Sequence, residues 1–322
     1  MMKEYGGYFE LEPFTGLEYH HEGVMRFNYC RTALQYLLAA RKIRKIYLPY
    51  FICDSVIIAV EQMNVAIEYY PIDEQFLPRF SQPVQEDELM LIVNYYGLLT
   101  DGQLEELIAR HGRVVVDNTQ AFFHKPPANA PAVYSCRKFF GVPDGGYLAA
   151  AIDGPLPEGD RSEERLSFLV GRLEDSASAH YSQYRTAEEQ AEQEGIKTMS
   201  QFTRRILCGI DYDKVIAIRR QNYAQLHRLL GDINVFPFPR EPEVPFMYPL
   251  MLAQDAAEVR RYLNSQKVYV PVLWGNVLDM VDDASLEAQL VTNVLPLPID
   301  QRYNEDDMQE IAAIVKRGIA QC

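Results

Sequence analysis

Three features of the sequence predict an α/β fold: a mostly parallel sheet covered on both faces, followed by a smaller α+β unit. Short β-branched runs alternate with amphipathic helical stretches from Asn28 onward. One such run ends in Asp117, and a second is followed closely by Lys138. A strong helical period then resumes in DYDKVIAIRRQNYAQLHRLLGDI, ahead of a mixed C-terminal stretch. The expected organisation is a large unit over residues 1–210, with an N-terminal arm, and a small one over 211–322.

Composition sets outer bounds. The 322 residues are 48% hydrophobic and 24% charged, enough apolar material for a large core. A formal charge of −14 argues against a nucleic acid or an anionic membrane surface as partner, so any phosphate must be held locally. The five cysteines, Cys30, Cys53, Cys136, Cys208 and Cys322, are scattered without CxxC spacing. Neither a disulfide framework nor a zinc site is expected from them, and a reducing cytoplasm fits. The opening residues lack a signal-peptide core, and no later apolar run approaches spanning length.

Residues 1–24, rich in Gly, Tyr, Glu and His, show no period and read as an arm packed on the body. NYCRTALQYLLAARK carries Ala33, Leu34, Leu37, Leu38 and Ile43 at helical spacing, with Arg31 and Thr32 at the amino end. Free N–H groups and the positive dipole end there suit a phosphate. IYLPYF reads as a strand, DSVIIAVEQMN as a helix, and VAIEYYPID and LMLIVNYYG as strands. DGQLEELIARHG is a helix with a glycine stop, and RVVVDNTQ a buried strand delivering Asp117. VYS leads to Lys138, then to Gly145 and Gly146. Residues 156–198 are dominated by charged and small polar side chains and read as a solvated helical excursion or mobile loop. FMYPLMLA, the helix DAAEVRRYLNSQ, the β-rich KVYVPVLW and the helix EDDMQEIAAIVKRGI compose the final unit.

Ligands of open α/β sheets gather at the carboxyl ends of strands, so Asp117 and Lys138 can share one pocket. A buried ion pair or two surface charges would explain the pair as well. Gln120 follows three residues after Asp117, and Ser135 lies three before Lys138. That set suits a phosphorylated pyridine aldehyde: the amine binds the aldehyde carbon, the carboxylate keeps the ring nitrogen protonated, and hydroxyl and amide donors hold the phosphate. Asn94 either approaches the ring or caps a turn. The histidines, including His20, His21, His111 and His227, show no metal-ligand spacing and read mostly as surface residues, so no metal is expected. Gly145-Gly146 lacks the third glycine of a dinucleotide fingerprint. Trp274 reads as core, with a sugar-facing role as the alternative.

VVVDNTQAFF followed by SCRKFFGVPDGG resembles the cofactor segment of the DegT/DnrJ/EryC1/StrS aminotransferases, fold-type I pyridoxal phosphate enzymes acting mostly on nucleotide-linked keto-sugars. The similarity extends to NYCRTAL, LPYFICDSV and VNYYG, covering most of residues 28–150, and more loosely to RRQNYAQL. It implies pyridoxal 5′-phosphate as cofactor, with Lys138 its covalent anchor and proton carrier and Asp117 paired with the ring nitrogen. Gln120 would lie beside the phenolic oxygen, and Ser135, Arg31 and Thr32 would hold the phosphate. Cys53 takes the place of the aromatic that relatives set over the ring face. The resemblance also implies a keto-sugar nucleotide as substrate, an amino acid such as glutamate as donor, and a homodimer. Val133 stands where many relatives have a serine, and IKTMS replaces the family's Asn-Tyr-Arg-Met segment, which points to a rebuilt substrate side. Two alternatives stay open: a lyase, dehydratase or free amino acid transaminase using the same cofactor, and a catalytically idle relative serving assembly.

Overall fold

The computed structural model describes residues 11–12, 14–236 and 242–321. After the arm come β1 (Met25–Phe27), α1 (Cys30–Ala40), β2 (Lys45–Pro49), α2 (Asp54–Glu61), β3 (Ala66–Tyr70), β4 (Glu88–Val93), α3 (Asp101–His111), β5 (Val114–Asp117), β6 (Ala132–Ser135) and β7 (Gly146–Ala149). Seven strands form one sheet in the order β1-β7-β6-β5-β4-β2-β3. The pairs from β3 through β6 are parallel, and β7 alone runs against its neighbours on both sides. Crossovers through α2 and α3 join β2 to β3 and β4 to β5, and the central strands β5 and β6 have every residue buried.

Local chemistry sets the element ends. α3 starts at a capping box in which Thr100 accepts from the Gln103 N–H and Gln103 reciprocates, and it stops at Gly112 with φ +74. α1 turns Leu34, Leu37 and Leu38 inward onto the sheet. Tyr96, at φ 56, breaks the chain out of β4 into a short turn; its N–H binds the Gln120 side chain, and its carbonyl accepts from the Phe246 N–H.

The polar stretch after β7 folds into α4 (Ser167–Glu174) and α5 (Tyr181–Gln193), with α6 (Gln201–Cys208) following. The helical reading of residues 156–198 therefore holds. The stretch is not wholly solvated, because Asp160, Ser162, Arg165, Ala187 and Ala191 are buried. α7 (Tyr212–Leu230) leads to β8 (Tyr248–Met251), α8 (Ala257–Ser265), α9 (Leu286–Asn293), β9 (Val294–Leu297) and α10 (Glu305–Gln321). β8 and β9 pair antiparallel, and α10 buries Met308, Ile311 and Val315.

KVYVPVLW corrects an expectation, since it forms no strand. Lys267 and Trp274 both take positive φ, which breaks an extended run at both ends, and the partner of β8 comes from VLPL instead. The arm also yields more than expected. Glu18 and His20 are buried, with Glu18 accepting from Tyr147 Oη at 2.8 Å and pairing with Arg26 and Arg204. Residues 1–10 of the arm lie outside the described residues. No helix among the described residues is long and apolar enough to cross a membrane.

Candidate active site

The carboxyl ends of β4, β5 and β6 lie side by side, and the candidate residues converge on them. Asp117 is the last residue of β5, in register with Val93 of β4 and Val133 of β6. It is buried, and its Oδ1 accepts the Thr119 N–H at 2.8 Å, an Asx-type turn that bends the chain out of the strand. Burial raises the Asp117 carboxyl above its ordinary value, opposed by the Thr119 hydrogen bonds and the nearby Lys138 charge. Lys138 sits in the turn just past β6, exposed, and makes no hydrogen bond or ion pair among the described residues. Its charge is felt at Asp117, Cys30 and Cys53. The structure thus gathers the acid and the lysine at one sheet edge, with two cysteines beside them.

Gln120 is buried three residues beyond Asp117, where Oε1 accepts the Tyr96 N–H at 2.8 Å and leaves the amide N–H groups for another acceptor. Asn94 Oδ1 accepts the Leu99 N–H at 3.0 Å, across the turn that follows β4, while its backbone N–H donates to Asp117 O. Its Nδ2 is a buried donor with no partner, beside Asp117. Ser135 is buried at the last register position of β6, opposite Gly146. Cys53 caps the start of α2, with Ser55 Oγ 3.2 Å from its sulfur; burial pushes its thiol up.

The amino end of α1 is anchored from several sides. Thr32 Oγ1 accepts the Tyr29 N–H at 3.2 Å and donates to Asn28 Oδ1 at 2.6 Å, so its hydroxyl serves the helix cap. Gly145, at φ +123, donates its N–H to Asn28 O. A Cβ on Gly146 would lie 2.5 Å from the Tyr29 carbonyl carbon, so only glycine lets the turn after Lys138 reach the helix start. Arg31 donates to Ala191 O near the end of α5 and lies 4.5 Å from the centre of the Tyr29 ring. Arg137 and Arg165 face the same ring at 5.5 and 5.9 Å, and the Tyr29 hydroxyl is buried without a partner. Arg137 pairs with Glu188 of α5, and Arg165 with Asp160 at 2.6 Å.

These features suit pyridoxal 5′-phosphate. An orphaned amide donor at Asn94 and a buried carboxylate at Asp117 stand at one end, and an unengaged amine at Lys138 lies close by. Guanidinium groups and the start of α1 lie at the other. The cluster of Arg137, Arg165 and Tyr29 escaped sequence reasoning, because its members come from three separate segments. Trp274 is half-buried, packing edge-on against Phe51 at 4.5 Å and Tyr95 at 5.7 Å. Two of the six histidines depart from the surface reading: His20 and His124 are buried, beside the Phe122 carbonyl and two carboxylates respectively, while the other four are exposed or half-buried.

No family model and no curated protein matches the sequence. Among solved structures, the chain is similar to a DegT DnrJ EryC1 StrS aminotransferase from Brucella abortus, with 13% identity, TM-score 0.60, and 91% of this chain and 85% of that one covered. It is similar also to the sugar aminotransferase CalS13 from Micromonospora echinospora, with 17% identity, TM-score 0.61 and coverage of 92% and 87%. PseC of Helicobacter pylori, an aminotransferase involved in the biosynthesis of pseudoaminic acid, gives 12%, 0.62, 93% and 87%. The chain therefore has the fold-type I architecture of the DegT/DnrJ/EryC1/StrS aminotransferases, as the motifs around Asp117 and Lys138 led one to expect.

Proposed function

We propose that the protein is a pyridoxal-phosphate-dependent aminotransferase that aminates a small keto-sugar, nucleotide-linked, using an amino acid such as glutamate as donor. The observation that carries this reading is the convergence of buried Asp117 and unengaged Lys138 at adjoining strand ends. The substrate class rests on the sugar chemistry named for CalS13 and PseC. When bound, the cofactor supplies an electron-withdrawing ring that delocalises charge from the carbon losing its proton. Asp117, buried at the end of β5, would hold the proton on the ring nitrogen. Gln120 and Asn94 would offer the cofactor their spare amide hydrogens. Ser135, Arg31 and the N–H groups at the start of α1 would hold the phosphate; the Thr32 hydroxyl contributes by shaping that start. Lys138 would hold the cofactor through its amine and would serve as the base that moves the proton.

A cytoplasmic homodimer, with a large unit ending near residue 210 and a smaller one after it, completes the reading. The test is spectroscopic. Protein loaded with cofactor should show a visible absorption band that glutamate bleaches and a keto-sugar nucleotide restores. Lys138→Ala should lack both the band and turnover. A band unchanged in that variant would remove Lys138 from its role, and silence across a panel of keto-sugar nucleotides would sink the substrate assignment.

A further inference from the structure

Away from the cofactor residues, three segments distant in sequence bring metal-type ligands together. His124 lies in the loop after β5, Asp101 opens α3, and Glu243 precedes β8. His124 is fully buried, and its Nδ1 points at Asp101 Oδ1 at 3.3 Å and Glu243 Oε2 at 3.6 Å. The three ligand atoms all lie within 4.8 Å of one another. Zinc bonds of about 2.0–2.1 Å in a tetrahedron set neighbouring ligands roughly 3.3 Å apart, close to both distances from the imidazole. Small shifts of the two carboxylates, whose side chains are 56% and 41% exposed, would close the third edge and leave the fourth position to water.

Charge points the same way. Among the described residues, neither carboxylate makes an ion pair with a lysine or arginine; Arg220 donates to the Glu243 backbone carbonyl instead. The His124 Nδ1 faces both carboxylates and can carry only one hydrogen toward them. The plain alternative is a histidine hydrogen-bonded to a helix-start acid that the dipole of α3 already favours. That alternative leaves the second carboxylate 3.6 Å from the same Nδ1, which has one hydrogen to give. Imidazole with two carboxylates is a donor set for a first-row divalent ion.

We propose that Asp101, His124 and Glu243 form a divalent-cation site of the zinc type, which ties the start of α3 and the loop carrying Gln120 to the segment entering β8. That segment already touches the loop. A Cβ at Gly97 would lie 3.0 Å from Gln120 O and 3.1 Å from Val244 O. The bound ion stiffens this junction and acts through position rather than chemistry.

The experiment uses the full-length, untagged, chelator-treated chain, titrated calorimetrically with Zn²⁺ and followed by visible spectroscopy with Co²⁺. One equivalent should bind, raise the thermal midpoint and give the cobalt band of a four-coordinate oxygen–nitrogen site. In Asp101→Asn/Glu243→Gln, whose changes are isosteric and exposed, affinity should fall more than roughly a hundredfold, beyond the loss of an outer partner. The variant's far-UV spectrum and metal-free thermal midpoint should match the parent. Absence of binding by the parent, or equal affinity in the double variant, overturns the site. Because both proteins hold the same cysteines, binding at thiols appears as the second of those outcomes.

Discussion

Acidification offers a quantitative test of how the arm is held. His20 is buried, its Nε2 lies 2.6 Å from Phe122 O, and Tyr19, Phe122, Tyr134 and Tyr147 surround its ring at 4.3–5.5 Å. Burial pushes its pKa down to about 4 from the ordinary 6.5, with His21 adding to the effect and the Phe122 carbonyl opposing it. The folded form resists the proton while the unfolded chain accepts it near its ordinary value. Stability from this site is therefore complete above that value and drains as pH falls toward about 4. Between about pH 7 and pH 5 the loss comes to about 2 kcal/mol. Asp117 and Asp144 are raised by burial and carry the opposite sign, so absolute stability alone would blur the result. His20→Gln keeps a donor for Phe122 O but does not titrate, and comparing it with the parent cancels the carboxylates. In urea unfolding, the parent's advantage over His20→Gln should shrink by about 2 kcal/mol from pH 7 to pH 5. An advantage constant across that range would refute the argument that the imidazole is held neutral.

Gly146→Ala would drive a methyl to within 2.6 Å of the Cys30 nitrogen, backbone against backbone, and should cost about 2–4 kcal/mol in urea unfolding while weakening cofactor binding. Arg165→Met strips the buried Asp160 and Asp144 of their shared guanidinium and should destabilise by about 3–5 kcal/mol, read by the same assay. Thr100→Ala breaks the reciprocal cap of α3 and should cost about 1 kcal/mol, with helix-start amides of α3 exchanging faster in deuterium.

What the sequence revealed and what it hid follow from range. Strands β2 to β6 and helices α1 to α3 were readable because periodicity and caps act within a few residues, as in the Thr100 box and the Gly112 stop. The candidates Asp117, Gln120, Ser135 and Lys138 are singled out by one short motif whose spacing is local. β1 was hidden, since three residues become a strand only by pairing with β7. β9 was hidden because KVYVPVLW is the stronger β-former by composition, and only backbone geometry disqualifies it. The guanidiniums around Tyr29 and the ligands around His124 each come from three segments, and no spacing rule joins them. Thr32 illustrates the limit within a motif: its position was legible, but its hydroxyl is spent on the helix cap.

The pairing of β1 with β7 also orders events in time. Met25 registers with Leu148, so the strand preceding α1 has no neighbour until more than a hundred further residues have been made. Loop-closure entropy delays such a contact, and synthesis runs from the amino end at about 5–20 residues per second. For several seconds on the ribosome, the start of α1 and the segment bearing Lys138 cannot meet. The last strand of the sheet to be synthesised clamps the first, so the strand ends bearing Asp117 and Lys138 come together with the start of α1 only once the whole sheet has been made.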